Sequence, residues 1–462
     1  MNYRELFNEG KKKAIDKEES AVLILLLYFS KMESAQLYAS MNEEVNEEIK
    51  TKFEEALDLY VNRNVPIQHI TGYQTFFGYD FFVNKDVLIP RSETEQLVEN
   101  ILTIYDEYFF NDVKVVDIGC GSGCIGITLA LEEKKMDVTL TDISHTAIEV
   151  AKKNAKSLNA NVKFLEGDML EPIKNMKFDI LVSNPPYIPN GEDVDSLVKD
   201  NEPRVALFGG EDGLKFYRII LSQAPKYVKG RSLIAFEHAY DKGDEMTKLA
   251  KKYFPQAEVR LIKDLNNKDR ITIIINKVLY DGEVVIFPTD TVYGLGTKVN
   301  DIIGQERIMA LKKRIPTKRF AVLCANLDQI KELAFVDEKQ EKIINAFMPG
   351  ALTVILRAKT KDKNYAINET IAVRIPNHEL TRKLLLETGP LATTSVNITN
   401  EKPLNDYQEI KKLFYGKVDY IYNDPSKQNY TNVASTIVDL TNQIEMIREG
   451  DIKLKDILQL LE

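Results

Sequence analysis

The sequence predicts an α/β protein built from three consecutive regions, and three differences in texture along the chain support this. Residues 1–75 carry apolar positions at helical spacing between charged runs, as in SAVLILLLYFSKM, which predicts a helical bundle. Residues 76–276 alternate β-branched apolar runs with helix-like stretches, which predicts a doubly wound, mainly parallel sheet. Residues 278–462 open with a new strand-like run and a glycine-rich loop, which predicts a second α/β domain.

Length and composition narrow the class of protein. The chain has 462 residues, more than one hydrophobic core typically serves, and 44% of them are hydrophobic. No apolar run approaches the roughly 20 residues that span a bilayer, and the first 20 residues lack an apolar signal core. The three cysteines are too few for a disulfide framework and fit a reducing compartment. We therefore expect a cytoplasmic protein.

The charge balance and the histidines disfavour two classes of function. The formal net charge is −9, with 70 acidic and 61 basic residues, which argues against tight non-specific binding of nucleic acid. The four histidines are scattered without the spacing of metal ligands, so a zinc hydrolase is disfavoured and no metal ligand is proposed.

A glycine-rich loop follows the first strong strand of the middle region. VVDIGCGSGCIGITLA (115–130) places three glycines between an apolar run and a helix-like segment, with Cys120 and Ser122 between them. Gly119, Gly121 and Gly123 would let the backbone turn and approach a ligand, and the following helix would offer free N–H groups. A tight turn from strand to helix is the alternative reading. The order Gly-Cys-Gly-Ser-Gly also departs from the GxGxxG of dinucleotide folds.

Two acidic residues follow later strands of the same region. Asp142 ends VTLTDIS about 20 residues after the glycine loop, where a carboxylate can accept hydrogen bonds from ribose hydroxyls. Asp168, in FLEGDML, could accept from an adenine amino group. Helix capping or solvated strand ends are the alternative reading of both residues.

The stretch DILVSNPPYIP (179–189) ends an apolar strand abruptly in Asn-Pro-Pro-Tyr. Prolines cannot continue a ladder because they have no N–H to donate. Asn184 can accept from a planar NH₂ group, Pro185 and Pro186 stiffen the turn, and Tyr187 offers a flat face. Such a site would hold an NH₂ nitrogen toward a methyl sulfonium and act mainly by orientation and desolvation.

These motifs, together with residues 66–99, EPRVALFGGEDGLKFYR and DLNNKDRITII, resemble the HemK/PrmC family. The resemblance covers about residues 1–276. It implies a class I, Rossmann-like methyltransferase that uses S-adenosyl-L-methionine (AdoMet) to methylate a glutamine amide of peptide chain release factors, with the helical region recognising the substrate. It implies AdoMet contacts from the loop and the strand ends, namely Gly119, Cys120, Gly121, Ser122, Gly123, Asp142, Asp168, Met169 and Asn184. It implies that the target glutamine is held by Asn184, Pro185, Pro186 and Tyr187, with Asn184, Pro185 and Tyr187 as the catalytic set.

One departure and one alternative accompany this resemblance. AFEHAYDKG stands where related sequences tend toward Glu-x-Gly, so His238 and Lys242 could alter a helix start near the site. Asn-Pro-Pro-Tyr also occurs in DNA methyltransferases that modify exocyclic amines, which need a flipped base and a DNA-reading domain. The acidic chain has no evident basic recognition module, which favours a protein substrate over DNA.

The third region combines a polar loop with a basic segment. VVIFPTDTVYGLGTK (284–298) could line a small polar pocket with Thr289, Thr291 and Tyr293. ALKKRIPTKRF (310–320) concentrates five cations, which would offset the charge of a triphosphate or simply solvate a helix end. Because no GxxxxGK[ST] is present, any ATP site is of another type.

These segments, followed by PGALTVIL, IAVRIPNH, PLATTSVNITN and ASTIVDL, resemble the YrdC family over about residues 278–462. The resemblance implies a threonylcarbamoyl-adenylate synthase that uses threonine, bicarbonate and ATP, with ATP expected as its Mg²⁺ complex, and that serves tRNA modification. It implies substrate contacts from Thr289, Tyr293, Lys312, Arg314, Ser395, Asn397 and Ser435. The IPTKRFAV loop and Asn400 depart from the family pattern, and a non-catalytic RNA-binding module is the alternative. The expected partners of this region include tRNA or tRNA-modifying proteins.

Overall fold

The computed structural model describes the chain in eight segments, residues 1–15, 17–18, 20–109, 112–313, 320–360, 365–397, 402–423 and 433–461. The chain forms two compact units. The first comprises Met1–Val228 and Ser232–Ile275, and the second comprises Lys229–Arg231 and Asn276–Glu462. Among the described residues, no helix is both long and apolar enough to cross a membrane. The predicted boundary after residue 75 stays a prediction, since the helical region shares the first unit with the sheet that follows it.

The first unit begins with a helical region. Its helices are α1 (Tyr3–Lys13), α2 (Ser20–Ser30), α3 (Ser34–Ala39), α4 (Glu47–Val61) and α5 (Ile67–Thr71). Asn2 begins α1 by accepting a hydrogen bond from the backbone N–H of Glu5 at 2.8 Å, which satisfies one otherwise unpaired helix donor. Leu25 and Phe53 lie fully buried in a core that these helices share. The apolar residues that recur at helical spacing in the sequence therefore form the buried core of this region.

The remainder of the first unit alternates strands and helices as the sequence predicts. Its elements are β1 (Tyr73–Phe76), β2 (Tyr79–Phe82), α6 (Ser92–Tyr108), β3 (Val113–Ile118), α7 (Cys124–Glu132), β4 (Met136–Asp142), α8 (His145–Ser157), β5 (Lys163–Glu166), β6 (Phe178–Ser183), α9 (Ser196–Lys199), α10 (Lys215–Gln223), β7 (Val228–Glu237), α11 (Gly243–Tyr253), β8 (Glu258–Lys263) and β9 (Asp269–Lys277).

Seven of these strands form one sheet in the order β5-β4-β3-β6-β7-β9-β8. The strands from β5 to β7 are parallel, whereas β8 and β9 pair antiparallel. Apolar clusters cover both faces, which explains why central strands such as β6 are apolar along their whole length. The chain order reverses between β3 and β6, and such a switch point opens a crevice at the carboxyl ends of the strands.

The second unit is a mixed α/β domain. Its elements are β10 (Val285–Phe287), β11 (Gly294–Lys298), α12 (Ile302–Lys312), β12 (Ala321–Leu323), α13 (Leu327–Leu333), α14 (Glu338–Phe347), β13 (Leu352–Arg357), β14 (Ala366–Ile367), β15 (Thr370–Arg374), α15 (Glu379–Thr388), β16 (Leu391–Ser395), α16 (Tyr407–Phe414), β17 (Tyr420–Ile421), β18 (Thr436–Asp439), β19 (Glu445–Arg448) and α17 (Leu454–Gln459).

A ten-stranded sheet organises this unit, with nine strands in the order β17-β10-β11-β16-β12-β15-β13-β18-β19 and β14 beside β15. Its pairings are both parallel and antiparallel, as between β12 and β15 and between β11 and β16. The mixed sheet brings the ends of β11, β15, β16 and β18 together around one concave region.

Candidate functional site

A cavity of about 450 Å³ lies at the carboxyl ends of β3, β4 and β6 in the first unit. The residues that line it include most of the predicted AdoMet and glutamine contacts, namely Gly119, Cys120, Gly121, Ser122, Asp142, Asp168, Met169, Asn184 and Pro186. Residues from three loops and from the end of β4 therefore meet in one place. The parallel order of the sheet accounts for this, because it gathers those ends at a single edge.

The glycine loop turns the chain from β3 into α7 through left-handed backbone conformations. The φ angles are +71° at Gly119, +53° at Gly121 and +81° at Gly123. A Cβ at Gly119 or Gly121 would meet no described atom within 4 Å, whereas one at Gly123 would lie 2.7 Å from the side chain of Ile127. The first two glycines thus leave open space for a ligand to approach the backbone, and the third allows the helix to pack closely.

Asp142 braces this loop at the end of β4. Its Oδ2 atom accepts from the backbone N–H of Gly121 at 2.9 Å, and its Oδ1 atom accepts from that of Ser144 at 2.9 Å. Burial raises the pKa of Asp142, while these backbone donors act in the opposite direction. A carboxylate oxygen has two lone pairs, so each oxygen keeps capacity to accept from a ribose hydroxyl. The open glycine face and this carboxylate fit AdoMet.

The Asn-Pro-Pro-Tyr segment leaves β6 at the same edge. The hydroxyl of Ser183 donates to the carbonyl of Ile118 at 2.6 Å, which fixes the end of β6 beside the start of the glycine loop. Asn184 and Pro186 line the cavity, whereas Pro185 is buried. Tyr187 does not line it and packs partly buried against the neighbouring apolar cluster. Burial, followed by the nearby Glu237 carboxyl, raises the pKa of Tyr187 to about 12.

Two buried polar residues next to Asn184 were not singled out in the sequence. The Thr94 hydroxyl donates to Glu237 Oε2 at 2.6 Å, and Asn184 Nδ2 donates to Thr94 Oγ1 at 3.4 Å. Glu237 is only 2% exposed, and burial raises its pKa. The carboxylate at the end of the apolar run SLIAFE was the available signal, since an acidic residue that ends a buried strand requires a partner.

An ion pair beside the cavity was also missed. Arg91 Nη2 lies 2.6 Å from Glu202 Oε1, and the Glu202 side chain is almost fully buried. Arg91 and Pro203 both line the cavity, so the pair joins the segment before α6 to the loop after α9 at its wall. Burial raises the pKa of Glu202, and the charge of Arg91 opposes that shift.

The two departing residues of AFEHAYDKG lie just after β7 and at the start of α11. His238 is fully buried, and its Nε2 atom lies 2.8 Å from the hydroxyl of Thr272 on β9. Lys242 occupies the N-cap position of α11, without a capping hydrogen bond from its side chain. Neither residue lines the cavity.

The second unit contains a cavity of about 440 Å³, lined by Thr289, Thr291, Tyr293, Ser395 and Ser435 among others. These predicted residues come from three segments of the sequence, namely the polar loop 284–298, PLATTSVNITN and ASTIVDL. Lys312 and Asn397 do not line it, although both contact Ser395. Arg314, also predicted here, lies outside the described residues, as do Lys318, Arg319 and Asn400.

A compact polar cluster forms behind Ser395. Lys312 Nζ donates to Asn397 Oδ1 at 2.7 Å and also to the backbone carbonyl of Ser395. The Ser395 hydroxyl donates to the same Asn397 oxygen at 2.7 Å, so the Ser395 and Asn397 side chains lie on one side of the chain. Lys312 is 3% exposed. Its ammonium therefore holds the end of β16 in place.

Tyr293 contributes differently from the other predicted residues of this unit. Its side chain is 1% exposed and belongs to an apolar cluster that also contains Val284, Ile286 and Leu295. Its backbone N–H donates to Asn405 Oδ1 at 3.2 Å. The structure thus places most of this tyrosine in the core beside the cavity, and a contact with threonine stays a prediction.

Two arginines line the second cavity and were not predicted. Arg374 Nη2 donates to Asp290 Oδ1 at 2.5 Å, and its Nη1 donates to the Thr291 hydroxyl at 2.8 Å. Arg448 Nη2 donates to the carbonyl of Ser435 at 2.8 Å. Burial lowers the pKa of both guanidinium groups. Arg374 lies in IAVRIPNH, where a charge within an apolar run was the available signal.

The fold and the cavity of the first unit define a class I AdoMet-dependent methyltransferase. Family models match residues 5–72 (PrmC N-terminal domain) and residues 93–201 (methyltransferase small domain). The release factor glutamine methyltransferase of Bacillus cereus is 42% identical over 260 residues, which are 55% of this chain and 92% of that protein. The Bacillus subtilis enzyme is 43% identical over 268 residues, 56% of this chain and 93% of its own. The chain belongs to the release factor glutamine methyltransferase family.

The second unit matches a different family. Residues 277–450 match the Sua5/YciO/YrdC model, whose description is "Telomere recombination". A solved structure of Pyrococcus abyssi Sua5 with L-threonine is 30% identical, covering 39% of this chain and 54% of that chain with a TM-score of 0.37. The chain thus spans about half the length of that Sua5 chain. The family matches confirm both predicted resemblances, the predicted fold class and the use of AdoMet by the first unit.

Proposed function

We propose that the first unit transfers the methyl group of AdoMet to the side-chain amide nitrogen of a glutamine in a peptide chain release factor. One observation carries the proposal. Asn184 lines the same cavity as the open glycine face and Asp142, so an amide held by Asn184 would lie in the cavity that fits AdoMet. We infer the release factor substrate from the names of the two Bacillus relatives. This chain aligns with nearly the full length of each of them.

Asn184 holds the substrate amide whose nitrogen accepts the methyl group. Its side-chain oxygen accepts one N–H of the substrate amide and thereby directs the nitrogen lone pair toward the cavity. Pro185 and Pro186 hold the turn rigid and present no N–H that would compete for that oxygen. When bound, AdoMet supplies an electrophilic methyl on a sulfonium. An amide nitrogen is a weak nucleophile, so the contribution of the chain is orientation in a site from which water is excluded.

The helical region suits a protein partner. Ile24 and Tyr28 lie one turn apart on α2, and each is 44% exposed. Exposed apolar side chains at this spacing form one face of a helix, which a partner protein can cover. We assign recognition of the release factor to this region, in line with the predicted substrate-recognition domain.

Transfer of a radiolabelled methyl group to purified release factor tests the proposal. We expect label in the release factor and none when its target glutamine is changed to alanine. Duplex DNA serves as the competing acceptor, because Asn-Pro-Pro-Tyr chemistry also suits exocyclic base amines. Label in DNA but not in release factor would contradict the proposal and favour a DNA amine methyltransferase.

We further infer that the second unit forms threonylcarbamoyl-adenylate from threonine, bicarbonate and ATP, for threonylcarbamoyladenosine in tRNA. The supporting observation is a cavity whose lining includes the hydroxyl-bearing residues Thr289, Thr291 and Ser435 together with Arg374 and Arg448. Fixed cations in such a site offset the charge that develops as pyrophosphate leaves ATP. Mg²⁺ would accompany ATP, as in other phosphoryl and nucleotidyl transfers.

Pyrophosphate release by the purified protein tests this second activity. We expect release from ATP that requires both threonine and bicarbonate and does not require RNA. Tight tRNA binding without pyrophosphate release would instead support the alternative, a non-catalytic RNA-binding module. Because the two assays use different substrates, failure of one activity leaves the other measurable.

A further inference from the structure

Asn184 belongs to a chain of buried hydrogen bonds that starts at the cavity wall, which Thr94 also lines, and ends at Glu237, which does not line the cavity. Asn184 Nδ2 donates to Thr94 Oγ1 at 3.4 Å, and the Thr94 hydroxyl donates to Glu237 Oε2 at 2.6 Å. The Asn184 side chain also donates a hydrogen bond to the Glu237 carboxylate. Thr94 is 3% exposed and Glu237 is 2% exposed. The chain therefore links α6, the end of β6 and the end of β7.

The direction of these bonds determines which end of the Asn184 amide faces the cavity. An ionised carboxylate only accepts hydrogen bonds, so Glu237 takes the single hydroxyl proton of Thr94. Thr94 Oγ1 can then only accept from Asn184, which must present its NH₂ group rather than its oxygen. With both hydrogens of Nδ2 directed toward Thr94 and Glu237, the Oδ1 atom is left to face the cavity.

We propose that Glu237 and Thr94 are positioning residues that fix the Asn184 amide with its oxygen toward the substrate glutamine. Protonation of Glu237 reverses the chain, since its O–H can donate to Thr94 and Thr94 can donate to Asn184 Oδ1. The Asn184 NH₂ would then face the substrate NH₂, and two donors cannot bond to each other. This assignment rests on the proposed glutamine substrate, because only an NH₂ acceptor requires an oxygen there.

The surroundings of Glu237 set the pH at which the chain reverses. Burial raises its pKa, and the hydrogen bonds from Thr94 and Asn184 and the charge of Arg270 lower it. Other ionisable groups that face it are Glu93, Tyr187, Tyr217 and Cys124. Methyl transfer should therefore fall on the acid side of the Glu237 pKa. Removing the Thr94 hydroxyl should shift this loss of activity to higher pH. The substitution removes a hydrogen bond that stabilises the ionised Glu237 carboxylate, and so raises the pKa of Glu237.

A matched set of threonine variants tests the proposal. Thr94→Val keeps the shape and removes the hydroxyl, Thr94→Ser restores it, and Thr128→Val makes the same change at a buried threonine outside the cavity. The Thr128 hydroxyl has no hydrogen-bond partner among the described residues. We expect Thr94→Val to lower kcat for release factor methylation about 10- to 100-fold, with the Kd for AdoMet unchanged within about twofold. Thr94→Ser and Thr128→Val should stay within about threefold of the parent protein.

A second readout keeps this inference separable from the proposed substrate. In protein labelled with ¹⁵N-asparagine, the Asn184 side-chain NH₂ resonances should shift with pH as Glu237 titrates, and Thr94→Val should move that titration to higher pH. If Asn184 does not respond to pH, or if Thr94→Val is as active as Thr128→Val, the positioning role is wrong. If the parent protein does not methylate release factor, the proposed function fails, while the resonances still decide whether the hydrogen-bond chain orients Asn184.

Discussion

Asp142 Oδ2 accepts a hydrogen bond from the backbone N–H of Gly121 at 2.9 Å, across 21 residues of sequence. The carboxylate that the sequence assigns to a ribose therefore also holds the glycine loop. A second bond, from the N–H of Ser144 to Asp142 Oδ1, fixes the start of α8. Preorganisation of this kind reduces the ordering that a ligand must impose on a loop when it binds.

We predict that Asp142→Asn weakens AdoMet binding about 10- to 100-fold. Hydrogen bonds to a charged group contribute about 1.5–3 kcal/mol, and the amide can accept at only one of its two positions. Titration calorimetry with AdoMet measures the effect. Asp137→Asn is the control, since Asp137 lies on the same strand in a partly exposed ion pair with Lys163 at 2.7 Å. Equal affinities of the two variants would argue against a ligand role for Asp142.

Asn184→Ala should abolish methyl transfer to release factor while AdoMet binding largely survives. The substitution removes the acceptor for the substrate amide and leaves the glycine loop and Asp142 unchanged. We expect a loss of at least about 100-fold in kcat and a change of no more than about threefold in the Kd for AdoMet. Asn100→Ala is the control, since Asn100 lies within α6 and bonds the Gln96 carbonyl. A parallel loss of AdoMet binding would make Asn184 mainly a cofactor residue.

Local patterns of the sequence were sufficient to locate the edge of the sheet at which the cavity lies. A glycine loop and an acidic strand end are short-range signals, and the parallel sheet places them together whatever the distance in sequence. The Thr94–Glu237 bond could not be found in this way because 143 residues separate the two partners. The Arg374–Asp290 pair is likewise separated by 84 residues.

Tyr187 shows a second limit of sequence reasoning. Its place in Asn-Pro-Pro-Tyr predicts an aromatic face toward the ligand, and that contact stays a prediction. What the motif did not indicate is that the side chain packs, partly buried, against an apolar cluster. A motif specifies residue types and order, whereas the direction of a side chain depends on the neighbours with which it packs. Tyr293 in the second unit likewise lines the cavity but packs most of its side chain into an apolar cluster, which the motif alone did not indicate.

Lys312→Met should reduce pyrophosphate release by the second unit by at least about tenfold. The Lys312 ammonium donates to Asn397 Oδ1 and to the Ser395 carbonyl, so its loss removes buried hydrogen bonds that hold the end of β16. Lys331→Met is the control, because Lys331 forms a partly exposed pair with Glu341 at 2.9 Å. Thermal unfolding of both variants should be followed, so that a loss of folded protein is distinguished from a loss of activity. Full activity in folded Lys312→Met protein would show that the second activity does not depend on the hydrogen bonds of Lys312.

Asp117 should make the stability of the first unit depend on pH. Its carboxyl is fully buried at the end of β3, and Oδ2 accepts from the Gly126 N–H at 3.0 Å. No described residue bonds its Oδ1 atom. Burial, opposed by the Gly126 bond and assisted by the charge of Asp142, raises the pKa of Asp117 to about 7. The folded state therefore binds the proton more tightly than the unfolded chain, in which the pKa of an aspartate is about 3.9.

The sign of the effect follows from that difference. The stabilisation from protonated Asp117 is fully present below about pH 4 and is lost as the pH rises toward 7, by up to about 1.4 kcal/mol per pH unit. Asp117→Asn stays uncharged throughout and can still accept from Gly126. We expect the variant to gain in unfolding temperature relative to the parent protein as the pH rises from 5 to about 7, and the difference to level off above that. Calorimetric scans without AdoMet measure this, with Asp80→Asn, at an exposed aspartate of β2, as the control. A difference between Asp117→Asn and the parent protein that does not change with pH would mean that Asp117 is already ionised in the folded state at pH 5.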